Sequence, residues 1–299
     1  MKVSVIVCTK NRPKELMQFL ASLATQSVAP DEIIIVDASD TEEAYLKIKE
    51  EFAQKPKIIY IHTKPGLTYQ RNVGIKNSSG EIVFFFDDDM IVDKDFVKEI
   101  MKVFEDDSDK KIGGAMGNIV NIESCNSFKV NLRLIMQRLF LLPCSGDGGF
   151  RLSACPTFIH GATEIRNVQF LSGGLTAYRR EVFRDFQFDE TFPNAMFTDD
   201  EDFSYRVSQK YKNVYTPNAK IVHNPSPKGR NNRHDKAKMT VEARYYLLKK
   251  NFPHTNRYTV AFWWSIVGYL VQTITSFDKH AVRGVVRGVA NLKHLANSK

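Results

Sequence analysis

Three consecutive aspartates are the residues of this sequence best suited to chemistry. Asp87, Asp88 and Asp89 directly follow the apolar run Phe84–Phe86. A buried strand that ends there places the carboxylates at the carboxyl edge of a sheet, where open α/β sheets bind ligands. Like charges at this spacing repel, so a divalent cation such as Mg²⁺ or Mn²⁺ is expected, which would bridge the phosphates of a bound nucleotide. The alternative is a solvated acidic turn, which explains one aspartate better than three.

Two further polar residues are candidates for contacting the same ligand. Asp37 follows the predicted strand Glu32–Val36, so its carboxylate can accept hydrogen bonds from a base or a ribose hydroxyl. Arg71 opens or lines a predicted helix and can neutralise phosphate. Both have an ordinary alternative, since Asp commonly begins a turn and Arg commonly lies on the surface of a helix.

A second acidic group, Asp199 to Asp202, is a candidate for proton transfer. A carboxylate at the rim of a nucleotide cleft can act as a general base. The alternative is structural, because acidic residues at the start of a helix are stabilised by capping and by the helix dipole. His223 follows the run Ala219–Val222 and is a candidate metal ligand or phosphate donor, although a lone histidine is usually neither.

The segments that must position these residues alternate between strands and helices over about the first 120 residues. The strands lack a clean apolar–polar alternation, which favours a parallel sheet buried on both faces. This pattern predicts an α/β fold with a Rossmann-like, mostly parallel sheet flanked by helices. The predicted strands are Val3–Cys8, Glu32–Val36, Lys57–Ile61, Glu81–Phe86 and Ile112–Val120, and the predicted helices begin at Pro13 or span Glu42–Phe52, Thr68–Asn77 and Asp95–Phe104.

The alternation changes after residue 122. Apolar spacing predicts a helix over Phe128–Leu142, a strand over Val168–Tyr178 and a helix over Asp200–Tyr211. The polar and basic run Lys228–Lys238 is predicted to be a mobile loop.

The C-terminal segment predicts two basic amphipathic helices. Tyr258–Phe277 carries no charge over 20 residues, but its polar residues argue against a membrane span. A second segment, 282–293, has the same design. Helices of this kind can lie in a membrane interface, and the alternatives are packing on the rest of the protein or a dimer contact. The apolar face of the first helix is predicted to hold Phe262, Trp263, Ile266, Val267, Leu270, Val271, Ile274 and Phe277, with Ser265, Gly268, Gln272, Thr273 and Ser276 away from its centre.

The composition is that of a folded protein, with 43 % hydrophobic and 25 % charged residues, and it excludes an intrinsically disordered chain. The net charge of +8 is uneven, because 18 of the 42 basic residues but only 3 of the 34 acidic residues lie from Phe203 onwards. This asymmetry predicts two surfaces with different partners. The four cysteines have no CxxC spacing, so neither a zinc knuckle nor a redox pair is indicated. The apolar run from Lys2 to Val7 is too short for a signal-peptide core, which predicts a cytoplasmic protein.

Six blocks of sequence, in order, carry a family resemblance. They are Val3–Arg12, Pro30–Asp37, Arg71-Asn72-Val73-Gly74, Gly80–Asp89, Gly173–Phe183 and Asp199–Arg206. Together they resemble the successive motifs of family 2 glycosyltransferases, nucleotide-sugar enzymes of the GT-A fold, over about residues 1–225. The resemblance implies metal-dependent transfer of a sugar from a nucleoside-diphosphate sugar to an acceptor hydroxyl, with inversion at the anomeric carbon.

On the nucleotide side, the resemblance assigns roles by position. Thr9, Asn11 and Arg12 match the loop that lines the nucleotide. Asp37 matches the residue that binds the base, and Arg71 matches an arginine that contacts the nucleotide.

Nearer the sugar and the metal, Asp87-Asp88-Asp89 matches the family's DxD motif. The resemblance places Asp87 and Asp88 toward the donor and Asp87 and Asp89 toward the cation, expected to be Mn²⁺ or Mg²⁺. Gly174 belongs to a small-residue strand near the donor sugar, and His223 matches a late histidine that completes the metal or diphosphate site.

The resemblance also places the catalytic base. Asp199-Asp200 aligns with a Glu-Asp pair of the family, so Asp200 is the predicted base, and Asp202 is the second choice because further acidic residues follow. The basic loop is expected to close over the phosphates once the donor is bound. The residues expected to do so are Lys228, Arg230 and Arg233.

Three parts of the chain follow from these assignments. Residues 1–120 form a nucleotide-sugar-binding α/β half, residues 121–227 the acceptor and catalytic half, and residues 228–299 the basic loop and the C-terminal amphipathic helices. The donor first expected is a UDP-sugar and the acceptor a glycan or lipid-linked sugar of the cell envelope. Residues 258–299 are expected to dock at the inner face of the cell membrane, and a homodimer is possible.

Three other functions share some of these sequence features. A sugar nucleotidyltransferase shares the α/β half, but it needs a glycine-rich triphosphate loop, and Thr9–Pro13 contains no glycine. A non-catalytic sugar-nucleotide-binding protein on a membrane is disfavoured by Asp89, Asp200 and His223 occurring together. A nucleic-acid partner is not expected, because the basic tail carries apolar helices longer than phosphate binding requires.

Overall fold

The computed structural model describes residues 1–52, 57–121, 128–159, 161–191, 198–225 and 232–297. The chain forms two compact units. We call residues 1–122 and 160–228 the sheet unit, and residues 123–159 and 229–299 the helical unit. The three-part division at residues 120 and 227 stays a prediction.

Strands and helices alternate from the N-terminus as predicted. The first ten elements are β1 (Val3–Thr9), α1 (Pro13–Leu23), β2 (Glu32–Asp37), α2 (Glu43–Glu51), β3 (Lys57–His62), α3 (Leu67–Asn77), β4 (Ile82–Asp87), β5 (Met90–Val92), α4 (Phe96–Glu105) and β6 (Ile112–Ile119). The others are α5 (Phe128–Leu139), β7 (Cys144–Ser145), β8 (Thr157–Phe158), β9 (Arg166–Val168), β10 (Leu175–Arg179), α6 (Val182–Asp185), α7 (Asp199–Ser208), β11 (Lys212–His223), α8 (Arg233–Asn251), α9 (Asn256–Thr275) and α10 (Lys279–Asn297).

Within the described residues, nine strands of the sheet unit form one sheet in the order β3-β2-β1-β4-β10-β6-β11-β5, and β9 pairs with β11. Strand β1 pairs in parallel with β2 and β4, β2 pairs in parallel with β3, and β6 pairs in parallel with β11. The predicted α/β class with a mostly parallel sheet is therefore confirmed. Parallel pairing puts the carboxyl ends of β1, β2 and β4 at the same edge of the sheet.

The core of the sheet unit lies between the sheet and its covering helices. Helix α1 begins at Pro13, whose missing N–H costs nothing at that position. Its buried side chains, spaced for one helical face, pack into the cluster that includes Val5, Ile35 and Phe84. Burying each such side chain stabilises the fold by about 1.5–3 kcal/mol. The buried residues of α1 are Leu16, Phe19, Leu20 and Leu23.

The predicted strand over Val168–Tyr178 is wrong in one respect that matters for the site. The structure has two strands there, β9 and β10, and residues 169–174 lie between them. Strand β10 runs antiparallel to both β4 and β6, with Leu175 opposite Phe86. Because of that direction, Gly173 and Gly174 lie beside the carboxyl end of β4.

Strand β5 is a feature that the sequence analysis missed. Its three residues directly follow Asp89 and pair antiparallel with β11, so that Met90 lies opposite His223. A three-residue apolar run is too short to distinguish from a turn in the sequence. In the fold, this pairing brings the end of β11 to the aspartate triplet.

The predicted mobile loop over Lys228–Lys238 is wrong for its described part. Residues 226–231 lie outside the described residues, but α8 begins at Arg233. The Asn232 side chain accepts a hydrogen bond from the backbone N–H of Asp235, which caps the helix. Ala237, Val241 and Leu248 are buried at helical spacing, and the many charges of this segment hide that pattern.

The buried side of helix α9 overlaps only in part with the predicted apolar face. Phe262 and Ile266 of that face are buried, but Trp263 and Val267 are exposed. Three residues predicted to lie away from the centre of the apolar face are buried as well: Ser265, Gly268 and Thr273. The buried hydroxyls donate to main-chain carbonyls one turn earlier, which removes the cost of burying them. A Cβ atom at Gly268 would lie 2.1 Å from that of Phe140, so a glycine is required for this packing. The large exposed apolar residues of α9 are Val260, Trp263, Trp264, Val267 and Ile274, followed by Phe277 after its last turn.

None of the helices in the described residues is long and apolar enough to cross a bilayer. Cys8, Cys144 and Cys155 form no disulfide with one another, and Cys125 lies outside the described residues.

Candidate active site

The carboxyl edge of the sheet gathers most of the predicted site residues. In the register of the sheet, Thr9 lies opposite Asp37, and Cys8 lies opposite Asp87. The loops that follow β1, β2 and β4 therefore meet at one place, as the sequence analysis expected.

Asp88 holds the loop that follows β1. Its side chain is buried and accepts a hydrogen bond of 2.6 Å from the Thr9 hydroxyl and one of 3.0 Å from Arg12 Nη1. The same Arg12 nitrogen lies 3.5 Å from Asp89 Oδ2. Burial raises the pKa of Asp88 above its ordinary value, although the bonds from Thr9 and the charge of Arg12 oppose this. Thr9, Arg12 and Asp88 thus form one connected group that fixes the loop beside the triplet.

Asn11 joins the loop after β1 to the loop after β2. Its backbone N–H donates to the Ser39 hydroxyl at 2.7 Å, and its amide exchanges hydrogen bonds with Asp40. The φ angle of Asn11 is +56°, in the left-handed region that asparagine tolerates better than most residues. The predicted nucleotide loop is therefore held in one conformation by its own side chains.

Asp37 is fully enclosed by protein. Its Oδ1 accepts hydrogen bonds from the backbone N–H and the hydroxyl of Ser39, and its Oδ2 accepts one from the Tyr60 hydroxyl. None of its surface is exposed, so a base would reach this carboxylate only if Ser39 or Tyr60 moved. Direct contact between Asp37 and the base stays a prediction.

A cavity of about 870 Å³ lies at the ends of β2 and β3. Ser39, Tyr60 and His62 line it, and His62 Nε2 lies 2.9 Å from the Ser39 carbonyl oxygen. Nothing in the sequence marks these residues as functional, because a single tyrosine or histidine in a strand is ordinary strand composition. The pairing of Asp37 with His62 across two strands is the structural signal that finds them.

Arg71 is the centre of a buried group of charges. Its Nη1 lies 2.6 Å from Asp199 Oδ2 and 2.5 Å from Asp200 Oδ1, and its Nη2 lies 3.8 Å from Asp87 Oδ1. Arg71 comes from α3, Asp87 from the end of β4, and the other two carboxylates from the first turn of α7. The structure thus joins three of the predicted site segments through one guanidinium.

The crowding of these carboxylates changes their protonation. Burial, and then the charge of Asp200, raise the pKa of Asp199 to about 8 against the opposing effect of Arg71. The pKa of Asp87 is raised to about 6 by burial and further by the charges of Asp200 and Asp89, against the opposing effect of Arg71. Burial alone lowers the pKa of Arg71, but the three carboxylates raise it above its ordinary value, so Arg71 stays charged.

Gly173 and Gly174 make room for two of these carboxylates. A Cβ atom at Gly173 would lie 1.9 Å from Asp200 Oδ1, and one at Gly174 would lie 2.4 Å from Asp87 Oδ2. Both distances are far below any real contact, so the carboxylates of Asp87 and Asp200 rest against bare backbone. The resemblance predicted a role for Gly174 near the donor, and the structure adds this reason for both glycines.

Gly173→Ala is expected to lower the rate of sugar transfer by about 10²-fold, because it displaces Asp200, the predicted base, and moving a reacting group by about 1 Å costs that much. The added methyl group must push the Asp200 carboxylate away from Arg71. Turnover is measured with saturating donor and acceptor, and the thermal unfolding midpoint shows whether the variant is folded. Normal turnover in a folded variant would contradict the importance of this packing.

The two candidate bases differ in their surroundings. Asp202 is 1 % exposed and forms an ion pair with Arg206 at 2.6 Å. The Asp200 side chain is 26 % exposed and lies among the other site residues. Helix α7 begins at Asp199, one residue earlier than predicted, and its acidic first turn is favoured by the helix dipole. This geometry favours Asp200 over Asp202 as the base.

Asp89 and His223 are the residues best placed for a cation. His223 Nε2 lies 3.6 Å from Asp89 Oδ1. One cation with ligands at about 2.0–2.2 Å can contact both atoms, since such ligands lie up to about 4 Å apart. In the part of the chain that the structure describes, no group of three or more His, Cys, Asp or Glu side chains is placed to hold a metal. Asp89 and His223 thus supply two ligands of a kind that Mn²⁺ or Mg²⁺ accepts, and the cation site at the triplet stays a prediction.

The expected lid is only partly described. Arg233 lies in the first turn of α8 and forms an ion pair of 3.1 Å with Asp278. Lys228 and Arg230 lie outside the described residues. Closure of these residues over the phosphates stays a prediction.

Solved structures with a similar fold are glycosyltransferases. A mannosyltransferase from Pyrobaculum calidifontis, solved with GDP-Man and Mn²⁺, superposes with a TM-score of 0.59 at 17 % identity and covers 100 % of this chain and 76 % of that chain. TarS 1–349 from S. aureus, in complex with UDP-GlcNAc, has a TM-score of 0.57 at 17 % identity and covers 91 % and 73 %. The fold is therefore that of the GT-A glycosyltransferases, as predicted.

The family follows from the sequence itself. The family described as Glycosyl transferase family 2 matches residues 4–186, so the chain belongs to that family and the predicted resemblance is confirmed. A glucosyl-dolichyl phosphate glucuronosyltransferase of Haloferax volcanii is 27 % identical over 122 residues, which are 39 % of this chain and 38 % of that protein. The chain spans 30–39 % of the length of the first curated relatives it matches. Asp200 and His223 lie beyond the matched residues.

Proposed function

We propose that this glycosyltransferase moves a sugar from a nucleoside-diphosphate sugar to an acceptor hydroxyl, with inversion at the anomeric carbon. The proposal depends on one observation: Asp87 and Asp200 lie on either side of Arg71 at the carboxyl edge of the sheet. One carboxylate belongs to the triplet that would face the donor. The other projects from the start of α7 and would face the acceptor.

Asp200 is the proposed general base. Its carboxylate takes the proton of the acceptor hydroxyl as that oxygen forms a bond to the anomeric carbon. The bond from this carbon to the diphosphate oxygen breaks on the opposite face, and the electron pair leaves with the nucleoside diphosphate. Displacement from the opposite face inverts the configuration.

Arg71 and Gly173 position that base. Arg71 Nη1 fixes one carboxylate oxygen, and the bare backbone at Gly173 lets the carboxylate sit close to the sheet edge. Arg71 is therefore proposed to hold the base as well as to contact the nucleotide.

The proposed cation site consists of Asp89 and His223, with Asp87 nearby. A bound Mn²⁺ or Mg²⁺ would neutralise the charge that develops on the departing diphosphate. Asp88 contributes differently, since its bonds to Thr9 and Arg12 hold the nucleotide loop in place.

The donor is proposed to be a UDP-sugar, with its base near the cavity of Ser39, Tyr60 and His62. One structural neighbour was solved with UDP-GlcNAc and another with GDP-Man, so both bases belong in the test. The experiment measures the slow hydrolysis of UDP- and GDP-sugars by the full chain, with Mn²⁺ and with a chelator. Hydrolysis of one donor that stops with the chelator is expected. If no nucleotide sugar is bound or hydrolysed, the proposal is wrong.

The acceptor is proposed to be a glycan or lipid-linked sugar of the cell envelope, reached at the inner face of the cell membrane. Helix α9 supports this with a row of exposed apolar side chains at helical spacing, Val260, Trp263 and Val267. Exposed tryptophan beside basic residues is typical of helices that lie in a membrane interface. Arg283 and Arg287 are exposed on α10.

Replacing Val260, Trp263 and Val267 together by Ser is expected to reduce binding to anionic vesicles at least about tenfold, because each side chain loses apolar burial. Flotation of the full chain with phosphatidylglycerol vesicles measures this. Leu46→Ser, at an exposed apolar residue of α2, is the control and should float like the wild type. Equal recovery of the wild type with and without vesicles would contradict docking, and a doubled mass in light scattering would indicate a homodimer through this face.

A further inference from the structure

The helical unit contains a groove that the proposed transfer reaction does not use. Its volume is about 810 Å³, and α5, α8, α9 and the start of α10 form its walls. Leu132, Met136, Leu142 and Ala281 supply apolar surface along it. Leu132 is about half exposed, so this surface is open to solvent. A groove of this size lies within the range of about 300–1,000 Å³ that is usual for sites of one small ligand.

Cations line the same groove. Arg133 from α5 and Arg233 and Lys236 from α8 all contribute to its wall, and all three are exposed. Asp278 is the acidic residue among the lining residues, and it forms an ion pair with Arg233. The groove therefore combines an apolar floor with an excess of positive charge.

The groove continues into a deeper cavity of about 160 Å³. The two share Arg133, Gln137, Leu142 and Tyr269 among their lining residues. Arg244 lines the deeper cavity, is 8 % exposed, and donates to the Ala154 carbonyl oxygen at 3.2 Å. A long ligand in the groove can therefore extend into this deeper cavity.

We infer that the groove binds the monophosphate of one long hydrocarbon chain, such as an isoprenyl phosphate. The hydrocarbon chain of the ligand lies against Leu132, Met136 and Leu142. Its phosphate lies against the cations that line the groove, Arg133, Arg233 and Lys236. Charge complementarity decides the class of ligand: the excess of positive charge in the groove favours an anionic head group over a neutral lipid, and the apolar floor favours a hydrocarbon chain over a free phosphate. The volume favours one chain over two.

Calorimetric titration of the full chain with farnesyl phosphate, below its micelle concentration, tests this inference. Saturable binding at one site is expected, with farnesol and inorganic phosphate each binding at least about tenfold more weakly, because each lacks one half of the recognised chemistry. Equal binding of farnesol and farnesyl phosphate would overturn the role of the cations. Absence of saturable binding would overturn the site.

Two exposed residues of α5 give a matched pair of variants. Leu132 lines the groove, whereas Ile135 is exposed on the same helix and does not line it. Leu132→Asp is expected to weaken farnesyl phosphate binding at least about tenfold, since it places a carboxylate against the chain and near the phosphate. Ile135→Asp should bind like the wild type. Equal weakening in both variants would mean that a general apolar surface, and not the groove, takes up the ligand.

A third variant protects the test against misfolding. Thr275 is exposed and lines the groove, so Thr275→Trp should fill it without disturbing the core, and binding should fall at least about tenfold. If farnesyl phosphate binds this variant as tightly as the wild type, the hydrocarbon chain does not lie in the groove. The titration does not depend on sugar transfer. Its failure would not contradict the proposed transferase reaction, and a lack of transferase activity would not contradict ligand binding in the groove.

Discussion

Asp200→Asn is expected to lower the rate of sugar transfer by about 10²–10⁴-fold, the usual contribution of a general base. Asparagine keeps the shape of the side chain and an oxygen that can accept from Arg71, so the contact with Gly173 and the fold should survive. What it loses is the ability to take the acceptor proton. Donor binding should change little, because the base acts on the acceptor. The measurements are transfer turnover with saturating substrates and donor affinity by calorimetry.

Asp199→Asn is the matched control for this variant. Asp199 touches the same Arg71 nitrogen, but it is buried, so its carboxylate is poorly accessible to an acceptor hydroxyl, and burial raises its pKa above the ordinary value. We expect its transfer rate to stay within about tenfold of the wild type. Similar losses in both variants would mean that the ionic cluster, and not one base, is needed. If Asp202→Asn lowers the transfer rate more than Asp200→Asn does, Asp202 is the base instead of Asp200.

The sheet edge could be predicted from the sequence because its cause is local. Strands β1, β2 and β4 are short, apolar and β-branched or aromatic, and each ends at a polar residue: Thr9, Asp37 and Asp87. In a parallel sheet these ends must share an edge. The sequence therefore predicts that the triplet and Asp37 lie at that edge, and the register of the strands confirms it.

The insertion of β10 could not be predicted, because its partners are distant in sequence. Leu175 pairs with Phe86, and Ala177 pairs with both Phe84 and Ala115. Apolar spacing over Val168–Tyr178 shows a buried segment but carries no information about direction or about which strands flank it. The close approach of Gly173 to Asp200 follows from that pairing, so it could not be predicted from the sequence either.

The contacts of Arg71 have the same origin. Asp199 and Asp200 lie more than 120 residues away along the chain. Sequence patterns identified each residue as a candidate, but the ionic group exists only once α3, β4 and α7 meet. Helix α9 shows a related limit, because it is apolar on more than one side. Which side is buried depends on Phe140 packing against Gly268.

Asp89→Ala is the other variant with a large expected effect. Asp89 is the last residue of the triplet. Its Oδ1 lies 3.6 Å from His223 Nε2, and its Oδ2 lies 3.5 Å from Arg12 Nη1. If this carboxylate holds the cation, its loss leaves the departing diphosphate without its main counter-charge. Removing one such electrostatic group commonly costs about 10²–10³-fold in turnover. We therefore expect a loss of that size at a fixed Mn²⁺ concentration.

The dependence on metal separates this role from a structural one. In Asp89→Ala, the Mn²⁺ concentration for half-maximal transfer should rise at least about tenfold, and in His223→Ala it should rise by a smaller factor, because a neutral imidazole contributes less charge. Asp109→Ala is the control, since Asp109 is exposed and pairs with Lys111. Its metal dependence should equal that of the wild type. If Asp89→Ala lowers turnover but leaves the Mn²⁺ requirement unchanged, Asp89 acts through Arg12 and the nucleotide loop. If the wild type keeps full turnover in the presence of a chelator, the mechanism does not use a cation.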